Sequence, residues 1–247
     1  MTTGAGRGGG PSKAAIARHP HLADPLKAGY VRVDCHVHTM WSGDSTTTPE
    51  ELAEAIAGAG LDIVCITDHS TVAGALELRD ALGCRVVIGQ EQRTPSGELI
   101  GLFLSERIPP GLRSARQTAL AIREQGGVVY VPHPFDPLRH HLEESVLEEL
   151  AASSLVDAIE VRNGKTSLEH LNEQAARAAA RLGLTAGAGS DAHVPEAVVS
   201  VYVEADDFSD APSFLRSLAT GQVFGHHFDG ARRFQSRIVP STSRYRR

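Results

Sequence analysis

The sequence predicts an α/β fold in which helices pack outside a sheet of parallel strands. Short apolar runs rich in β-branched residues alternate with amphipathic stretches of helical length along most of the chain. At 247 residues the chain suits one α/β barrel or two small domains, and its 41% of hydrophobic residues can build a full core. About seven or eight β/α units fit a barrel better than an open sheet, although periodicity alone does not separate the two.

Eight runs are predicted to be strands. The run at 31–38 alternates apolar and polar residues, which is the strand period. The run at 61–67 is almost unbroken in its apolar character, as in strands that are buried on both faces. The predicted strands are 31–38, 61–67, 85–90, 98–104, 128–132, 156–161, 185–188 and 198–203.

Helices are predicted between these strands, with recognisable start and stop signals. Thr48, Pro49 and Glu51 form a capping box with proline at the first helical position. Glycines such as Gly83 and Gly126 end the helices that precede them. The predicted helices are 48–59, 72–82, 114–125, 142–152, 167–182 and 211–219, and a short helix is expected within 14–30.

The two ends of the chain differ in composition from the rest. Residues 1–13 are glycine-rich and are predicted to be disordered. Residues 231–247 contain six arginines and no acidic residue, and are predicted to form a flexible basic tail that could touch a phosphate backbone. Residues 14–230 are predicted to form a single domain, which carries the acidic excess behind the net charge of −6.

The sequence shows no feature of secretion or membrane insertion. No apolar run approaches the roughly 20 residues that cross a bilayer, and no apolar signal segment follows Met1. Cys35, Cys65 and Cys84 lie in or beside apolar runs without C-x-x-C spacing, so we expect reduced core residues. We therefore predict a cytoplasmic protein with no membrane partner and no zinc–thiolate site.

Residues of the types that bind metals or transfer protons lie at the ends of five predicted strands. His36 and His38 lie two residues apart in a strand, so both imidazoles point to the same side. One such pair is weak evidence, because a buried histidine beside a surface histidine gives the same pattern. In an α/β barrel, however, the carboxyl ends of the strands carry the active site. The residues at these ends are His36, His38, Asp68, His69, Glu91, His133, Asp191 and His193.

This set offers imidazole nitrogens and carboxylate oxygens, which suit clusters of two or three Zn, Mn or Fe ions. Glu91 is a candidate bridge, since each oxygen of a carboxylate can bind one ion. Ions roughly 3.5–4 Å apart can share a water, lower its pKa and stabilise both oxygens of an in-line displacement. Such chemistry favours hydrolysis of phosphate esters over redox or acyl-transfer reactions.

Five motifs, in order, resemble those of the PHP (polymerase and histidinol phosphatase) superfamily. The resemblance covers about residues 31–225 and implies a distorted (β/α)7-type barrel with a phosphoesterase site of two or three metal ions. The motifs are Asp34-Cys35-His36-Val37-His38, Thr67-Asp68-His69, Gln90-Glu91, Val131-Pro132-His133-Pro134 and Ser190-Asp191-Ala192-His193.

The resemblance also implies how the ligands are shared. Glu91 would bridge two ions, the second of them held with His133. The third ion would include Asp44, a position where family members have histidine or aspartate and which is otherwise a turn residue. The implied sets are His36, His38, Glu91 and Asp191 for the first ion, Glu91 and His133 for the second, and Asp44, His69 and His193 for the third.

Glu98 marks the departure from the family pattern. Related proteins often have a histidine ligand just after the motif of Glu91, and this chain has no histidine between His69 and His133. Glu98 either replaces that histidine, as a carboxylate suited to hard ions, or is an ordinary residue at the start of a strand.

Several other residues are candidates for roles in the reaction. Asp68 is predicted to orient His69 or a neighbouring ligand through a hydrogen bond. Binding of a phosphate needs cations or N–H donors, for which Arg139 and the segment 162–165, with Asn163, are best placed; a surface role is equally consistent with their sequence positions. His140 and His141 are candidate general acids unless they lie in a solvated loop.

The leading hypothesis is a metal-dependent phosphatase or phosphodiesterase that acts on a small phosphorylated metabolite or nucleotide, with a metal-bound hydroxide as nucleophile. An exonuclease on short oligonucleotides is an alternative that the basic tail favours and the low aromatic content disfavours. A metal-binding regulatory module without catalysis is a second alternative, and a C–N hydrolase is a minor one. Oligomeric state is not predicted.

Overall fold

The computed structural model describes residues 10–111 and 114–228. Its strands are β1 (Tyr30–Val37), β2 (Ile63–Ile66), β3 (Arg85–Thr94), β4 (Gly97–Leu102), β5 (Val128–Val131), β6 (Ala158–Asn163), β7 (Thr185–Gly189), β8 (Val201–Asp206) and β9 (Gln222–Gly225). Its α-helices are α1 (Lys13–Arg18), α2 (Pro49–Ala59), α3 (Ala73–Leu78), α4 (Ala115–Glu124), α5 (Glu144–Ala152), α6 (Glu169–Leu182) and α7 (Ala211–Thr220).

Within the described residues, all strands belong to one sheet with the order β7-β6-β5-β4-β3-β2-β1-β8-β9. The sheet curves so far that the ends of β7 and β1 meet. There, the backbone N–H of Asp191 donates to the carbonyl of His36 at 2.7 Å, and that of His38 donates to Ala192 at 3.0 Å. The single-domain α/β prediction is thereby confirmed, with a nearly closed barrel.

The sheet is mixed, whereas the alternation of strands and helices had predicted a parallel one. Strand β4 is antiparallel to β3 and to β5, and β8 is antiparallel to β1. Only two residues join β3 to β4, and so short a connection can join antiparallel strands but cannot make a parallel crossover. Strand β8 begins three residues later than predicted, and β9 was not predicted.

Apolar side chains fill the space inside the barrel and the layer beneath the helices. Cys35, Cys65 and Tyr130 are buried in the interior, and all three cysteines are free. Helix α2 has the predicted capping box, with the Thr48 side chain bonded to the Glu51 N–H and the Glu51 side chain bonded to the Thr48 N–H. In the parts of the chain described, no helix combines the length and the apolar character needed to cross a bilayer.

Part of the segment that was predicted to be disordered belongs to the fold. Ser12 caps helix α1, which begins at Lys13, and the N–H of Ser12 donates to Gly58 at 2.7 Å. Residues 12 and 13 therefore belong to the fold, because they anchor α1 to α2. The rest of the predicted disordered segment is mostly outside the described residues, as is the whole of the predicted tail at 231–247.

Candidate metal centre

Strand β1 places His36 and His38 at the centre of one rim of the barrel. Both side chains are fully buried, and their Nε2 atoms face each other at 3.0 Å. The other nitrogen of each ring is held from behind: Nδ1 of His36 donates to Glu160 at 3.2 Å, and Nδ1 of His38 hydrogen-bonds Ser42 at 2.9 Å. Anchoring one ring nitrogen leaves the other directed at a common point, as in histidines that bind metals.

Glu91 lies at the centre of the cluster. Its Oε2 is 3.5 Å from Nε2 of His36, 3.2 Å from Nε2 of His38 and 3.2 Å from Nδ1 of His69. Its Oε1 lies 3.1 Å from Nε2 of His133. The two carboxylate oxygens thus face different groups of histidines, which is the arrangement expected of a ligand shared by two ions.

Asp191 and His133 enter the site with an unusual backbone. Their φ angles are 51° and 28°, a left-handed conformation that costs non-glycine residues energy and is concentrated at functional sites. Oδ1 of Asp191 lies 3.7 Å from Nε2 of His36 and 3.5 Å from Nε2 of His38. The turn after β7 therefore directs this carboxylate to the centre of the rim.

Asp44, His69 and His193 form the more exposed side of the cluster. Oδ2 of Asp44 is 3.3 Å from Nε2 of His69 and 3.1 Å from Nε2 of His193. The Asp44 side chain is 46% exposed, whereas the His193 side chain is 12% exposed. A cation between these three groups would be open to solvent on one side.

Glu98 lies at the same rim because β4 runs antiparallel to β3. A strand of reversed direction begins where its neighbour ends, so its first residues meet the carboxyl ends of the parallel strands. Oε2 of Glu98 is 3.8 Å from Nε2 of His133, and its Oε1 is 3.5 Å from Nε of Arg93. Glu98 thus lies at the rim and faces both a ligand candidate and a cation.

The residues present fit divalent metal ions. All the donors are imidazole nitrogens and carboxylate oxygens, a set that suits Mn, Fe or Zn. Within each of four groups in the described chain, the candidate ligand atoms lie within 4.8 Å of one another. The groups are His38, Asp44, His69 and His193; His36, His38 and Glu91; His36, His133 and Asp191; and Glu91, Glu98 and His133.

The carboxylates at the centre of the cluster are held in their ionised form. Burial alone would raise the pKa of Glu91, but the charge of His36 and the hydrogen bond with His133 lower it well below its usual range. Burial also opposes ionisation of Asp191, whose pKa is nevertheless lowered well below its usual range by Lys165 and His36. Both groups are therefore ready to bind a cation without losing a proton.

The two central histidines differ in protonation. Burial and the neighbouring His193 lower the pKa of His38 well below its usual range, so this ring is neutral. Burial opposes a charge on His36 too, but Asp191 and Glu160 raise its pKa well above the usual range. Because a bound cation requires neutral imidazole, binding of an ion at His36 would release a proton.

Two family models match this chain, and so do proteins of related sequence. A family model described as the PHP domain matches residues 34–126, and one described as PHP-associated matches residues 169–223. An uncharacterized protein of Methanocaldococcus jannaschii is 38% identical over 131 residues, which are 48% of this chain and 76% of that protein. The chain belongs to the PHP family. The two matches together include every candidate ligand except His133, which lies between them.

Two further relatives match parts of this chain. A second uncharacterized protein of Methanocaldococcus jannaschii is 34% identical over 176 residues, 70% of each chain. An error-prone DNA polymerase of Mycobacterium tuberculosis is 31% identical over 140 residues, which are 51% of this chain but 13% of the polymerase.

Two solved structures share the fold of this PHP protein. One is a two-domain protein of Bacteroides vulgatus that contains a predicted PHP-like metal-dependent phosphoesterase, with a TM-score of 0.65 and 19% identity, covering 82% of this chain and 67% of that one. The other is PsfC of Pseudomonas syringae, with a TM-score of 0.61 and 19% identity, covering 80% and 92%. At this level of identity the similarity describes the fold alone.

Asp68 is predicted to orient His69 or a neighbouring ligand, and the structure places its carboxylate beside His38. Its carboxylate accepts the N–H of Thr39 at 2.6 Å and the hydroxyl of Thr39 at 2.7 Å, and it is fully buried. Burial raises its pKa to about 7, against the opposing effect of these hydrogen bonds. Asp68 therefore fixes the chain next to His38 and does not contact the His69 ring by a hydrogen bond.

Arg139 and Asn163 occupy different positions in the PHP centre. Arg139 lines the cavity above the ligands, with Nε 3.8 Å from Oδ2 of Asp191. Asn163 is buried behind the ligands and donates to Glu160 at 2.9 Å and to Asp191 at 3.4 Å, so it positions carboxylates and does not line the cavity. Lys165 is the member of the segment 162–165 that faces the cavity.

Sequence reasoning missed Glu160, the residue that supports the centre from behind. It accepts Nδ1 of His36 at 3.2 Å, the N–H of His133 at 2.7 Å and the amide of Asn163 at 2.9 Å. The sequence signal that could have revealed this role is the presence of an acidic residue inside the apolar run of β6. Burial of an unpaired carboxylate there would cost free energy, so the residue must have partners.

Glu160→Gln should weaken metal binding while leaving all proposed ligands in place. The amide would turn an N–H toward one of three existing donors, so we expect about 10- to 100-fold lower metal affinity. Competition with a chelating dye for Mn or Zn would measure the change. Glu169→Gln, which removes an exposed carboxylate paired with Arg162, is the control and should bind normally. Unchanged affinity in Glu160→Gln would contradict the supporting role.

Proposed function

We propose that this protein is a hydrolase of small phosphate esters that works with two or three divalent ions, Mn, Zn or Fe. The observation that carries the proposal is the shared position of Glu91. Its two oxygens face His36 and His38 on one side and His133 on the other, at 3.1–3.5 Å. A carboxylate shared in this way favours a multi-ion centre, and such centres suit in-line displacement at phosphorus.

The ions and the side chains of the centre would have different roles in the reaction. Ions held there would supply an activated water near neutral pH and charge stabilisation for the oxygens on phosphorus. The chain itself would fix the ligands: Glu160 holds the rings of His36 and, through the backbone, His133, while Asp68 holds the segment after His38. Glu98, which lies 3.8 Å from His133, would complete the second ion's set with a hard oxygen ligand.

Two cations line the cavity in which the phosphate would bind. Arg139 and Lys165 line the cavity, and their side chains are 15% and 11% exposed. Nε of Arg139 is buried and has no hydrogen-bond partner among the described residues. The guanidinium and the ammonium group are cations at the cavity wall, and such groups suit phosphate oxygens.

Arg139→Ala and Lys165→Ala should each raise KM for a phosphate ester by about tenfold or more, because hydrogen bonds to charged groups contribute about 1.5–3 kcal/mol. Arg162→Ala is a matched control: this residue is near in sequence, but it pairs with Glu169 and the carbonyl of Gly225, away from the cavity. Steady-state kinetics at fixed metal content would separate the three variants. If the Arg139 and Lys165 variants had a KM as low as that of the control, neither residue would bind the phosphate.

The decisive experiment is metal analysis of the purified protein followed by a panel of phosphate esters. Stoichiometric metal with turnover of small esters would support the proposal. Stoichiometric metal without any turnover would favour a regulatory module, and turnover confined to oligonucleotides would favour an exonuclease. The exonuclease candidate rests on the similarity to a short part of an error-prone DNA polymerase.

A further inference from the structure

A large apolar side chain stands exposed at the mouth of the metal cavity. Leu138 is 80% exposed, more than any other large hydrophobic residue in the described part of the chain. It lines the same cavity as Asp44, Glu98 and Arg139, and so does the partly buried Val194. A single exposed leucine is ordinary on a protein surface, but this one lines the metal cavity, where it would contact a ligand that extends out of the cavity.

The turn that carries Leu138 is held firmly in this position. Asp136 is only 3% exposed, and its carboxylate accepts the N–H of Leu138 at 3.0 Å and the hydroxyl of Thr166 at 2.9 Å. Its carbonyl accepts the N–H of Arg139 at 3.0 Å. Asp136 thus fixes the leucine through its carboxylate and the backbone of the neighbouring Arg139 through its carbonyl.

The size of the cavity indicates which part of a substrate reaches Leu138. The cavity is about 190 Å³, whereas pockets that enclose a drug-sized ligand span roughly 300–1,000 Å³. This space must also hold the ions and the phosphate. The organic part of an ester therefore has to leave the cavity at its mouth, where Leu138 is exposed.

Building on the proposed function, we infer that Leu138, together with Val194, binds the apolar or aromatic leaving group of the phosphate ester. The substrate class is thus an ester whose phosphate is joined to a group with an apolar face. Leu138 acts on specificity, since it contacts the part of the substrate that does not react. The phosphate itself would be bound by Arg139, Lys165 and the ions.

Two phosphonates that resist hydrolysis test this inference without requiring turnover. Phenylphosphonate and methylphosphonate carry the same head group and differ only in the apolar part. Calorimetry on the metal-loaded protein should show tighter binding of phenylphosphonate, and Leu138→Ala should reduce that preference by about three- to tenfold. Leu120→Ala, which shortens an exposed leucine on α4 outside the cavity, is the matched control and should keep the preference.

Equal affinities for the two phosphonates in the unaltered protein would overturn the inference, as would an unchanged preference in Leu138→Ala. Restoration of the preference by Leu138→Met would support an apolar contact. Failure of the proposed function has a different signature: phosphonates would bind with the expected preference, but no phosphate ester would be hydrolysed.

Discussion

Replacing Glu91 with glutamine should lower phosphoesterase activity by about 10³-fold and reduce the number of bound ions. The substitution keeps the size of the side chain but removes the negative charge and turns an N–H toward the histidines. Both Oε atoms face candidate ligand rings, so either orientation of the amide places a donor against a ring nitrogen. Metal analysis by mass spectrometry and turnover under excess metal would measure the two effects.

Glu204→Gln is the control for that variant. Glu204 is also a buried carboxylate, but it pairs with Arg32 at 3.0 Å, away from the metal cavity. Its loss should affect stability while metal content and turnover remain normal. If Glu91→Gln retained full metal content and full activity, the assignment of Glu91 as the shared ligand would be wrong.

Replacing Asp34 with alanine should destabilise the fold by about 3–5 kcal/mol. The fully buried carboxylate of Asp34 accepts the N–H of Ser190 at 2.9 Å, of Val199 at 3.1 Å and of His36 at 3.2 Å. These bonds join β1 to the chain on either side of the gap where the barrel nearly closes. Alanine would leave three buried N–H groups without this acceptor, and each such loss costs about 1–3 kcal/mol, with incomplete additivity.

Urea unfolding in the presence of a chelator would measure this loss, because removing metal excludes differences in ion binding from the free energy of unfolding. Asp62→Ala is the control: Asp62 accepts one backbone N–H, that of Arg32, at 2.9 Å. We expect about 1 kcal/mol for it. A loss in Asp34→Ala no larger than in Asp62→Ala would show that the carboxylate does not hold the two edges together.

Much of the fold could be predicted because local patterns specify it. Helix α2 has the predicted capping box, and the predicted strands largely coincide with those observed. The residues at the candidate site were also accessible, since the position of a side chain relative to a strand end can be read from the sequence. His36, His38, Glu91, His133 and Asp191 do meet at one rim, although their binding of metal stays a prediction.

Contacts between distant residues could not be predicted in the same way. His36 and Glu160 are 124 residues apart and meet because closure of the barrel brings β7, the neighbour of β6, against β1. The sequence left open whether Asp68 orients His69 or a neighbouring ligand, and the fold places its carboxylate on Thr39, next to His38. Such pairings depend on the curvature of the sheet, which hydrophobic periodicity does not encode.

The sequence by itself determined which imidazoles and carboxylates stand at strand ends, because the alternation of apolar residues and the loop signals are local properties. Only the tertiary structure decided that Glu98 joins them, since its position follows from the reversed direction of β4. It also decided which groups support the ligands from behind, as shown by Glu160 and Asp34. A buried carboxylate must be paired with donors, and the closed sheet alone brings those donors within reach.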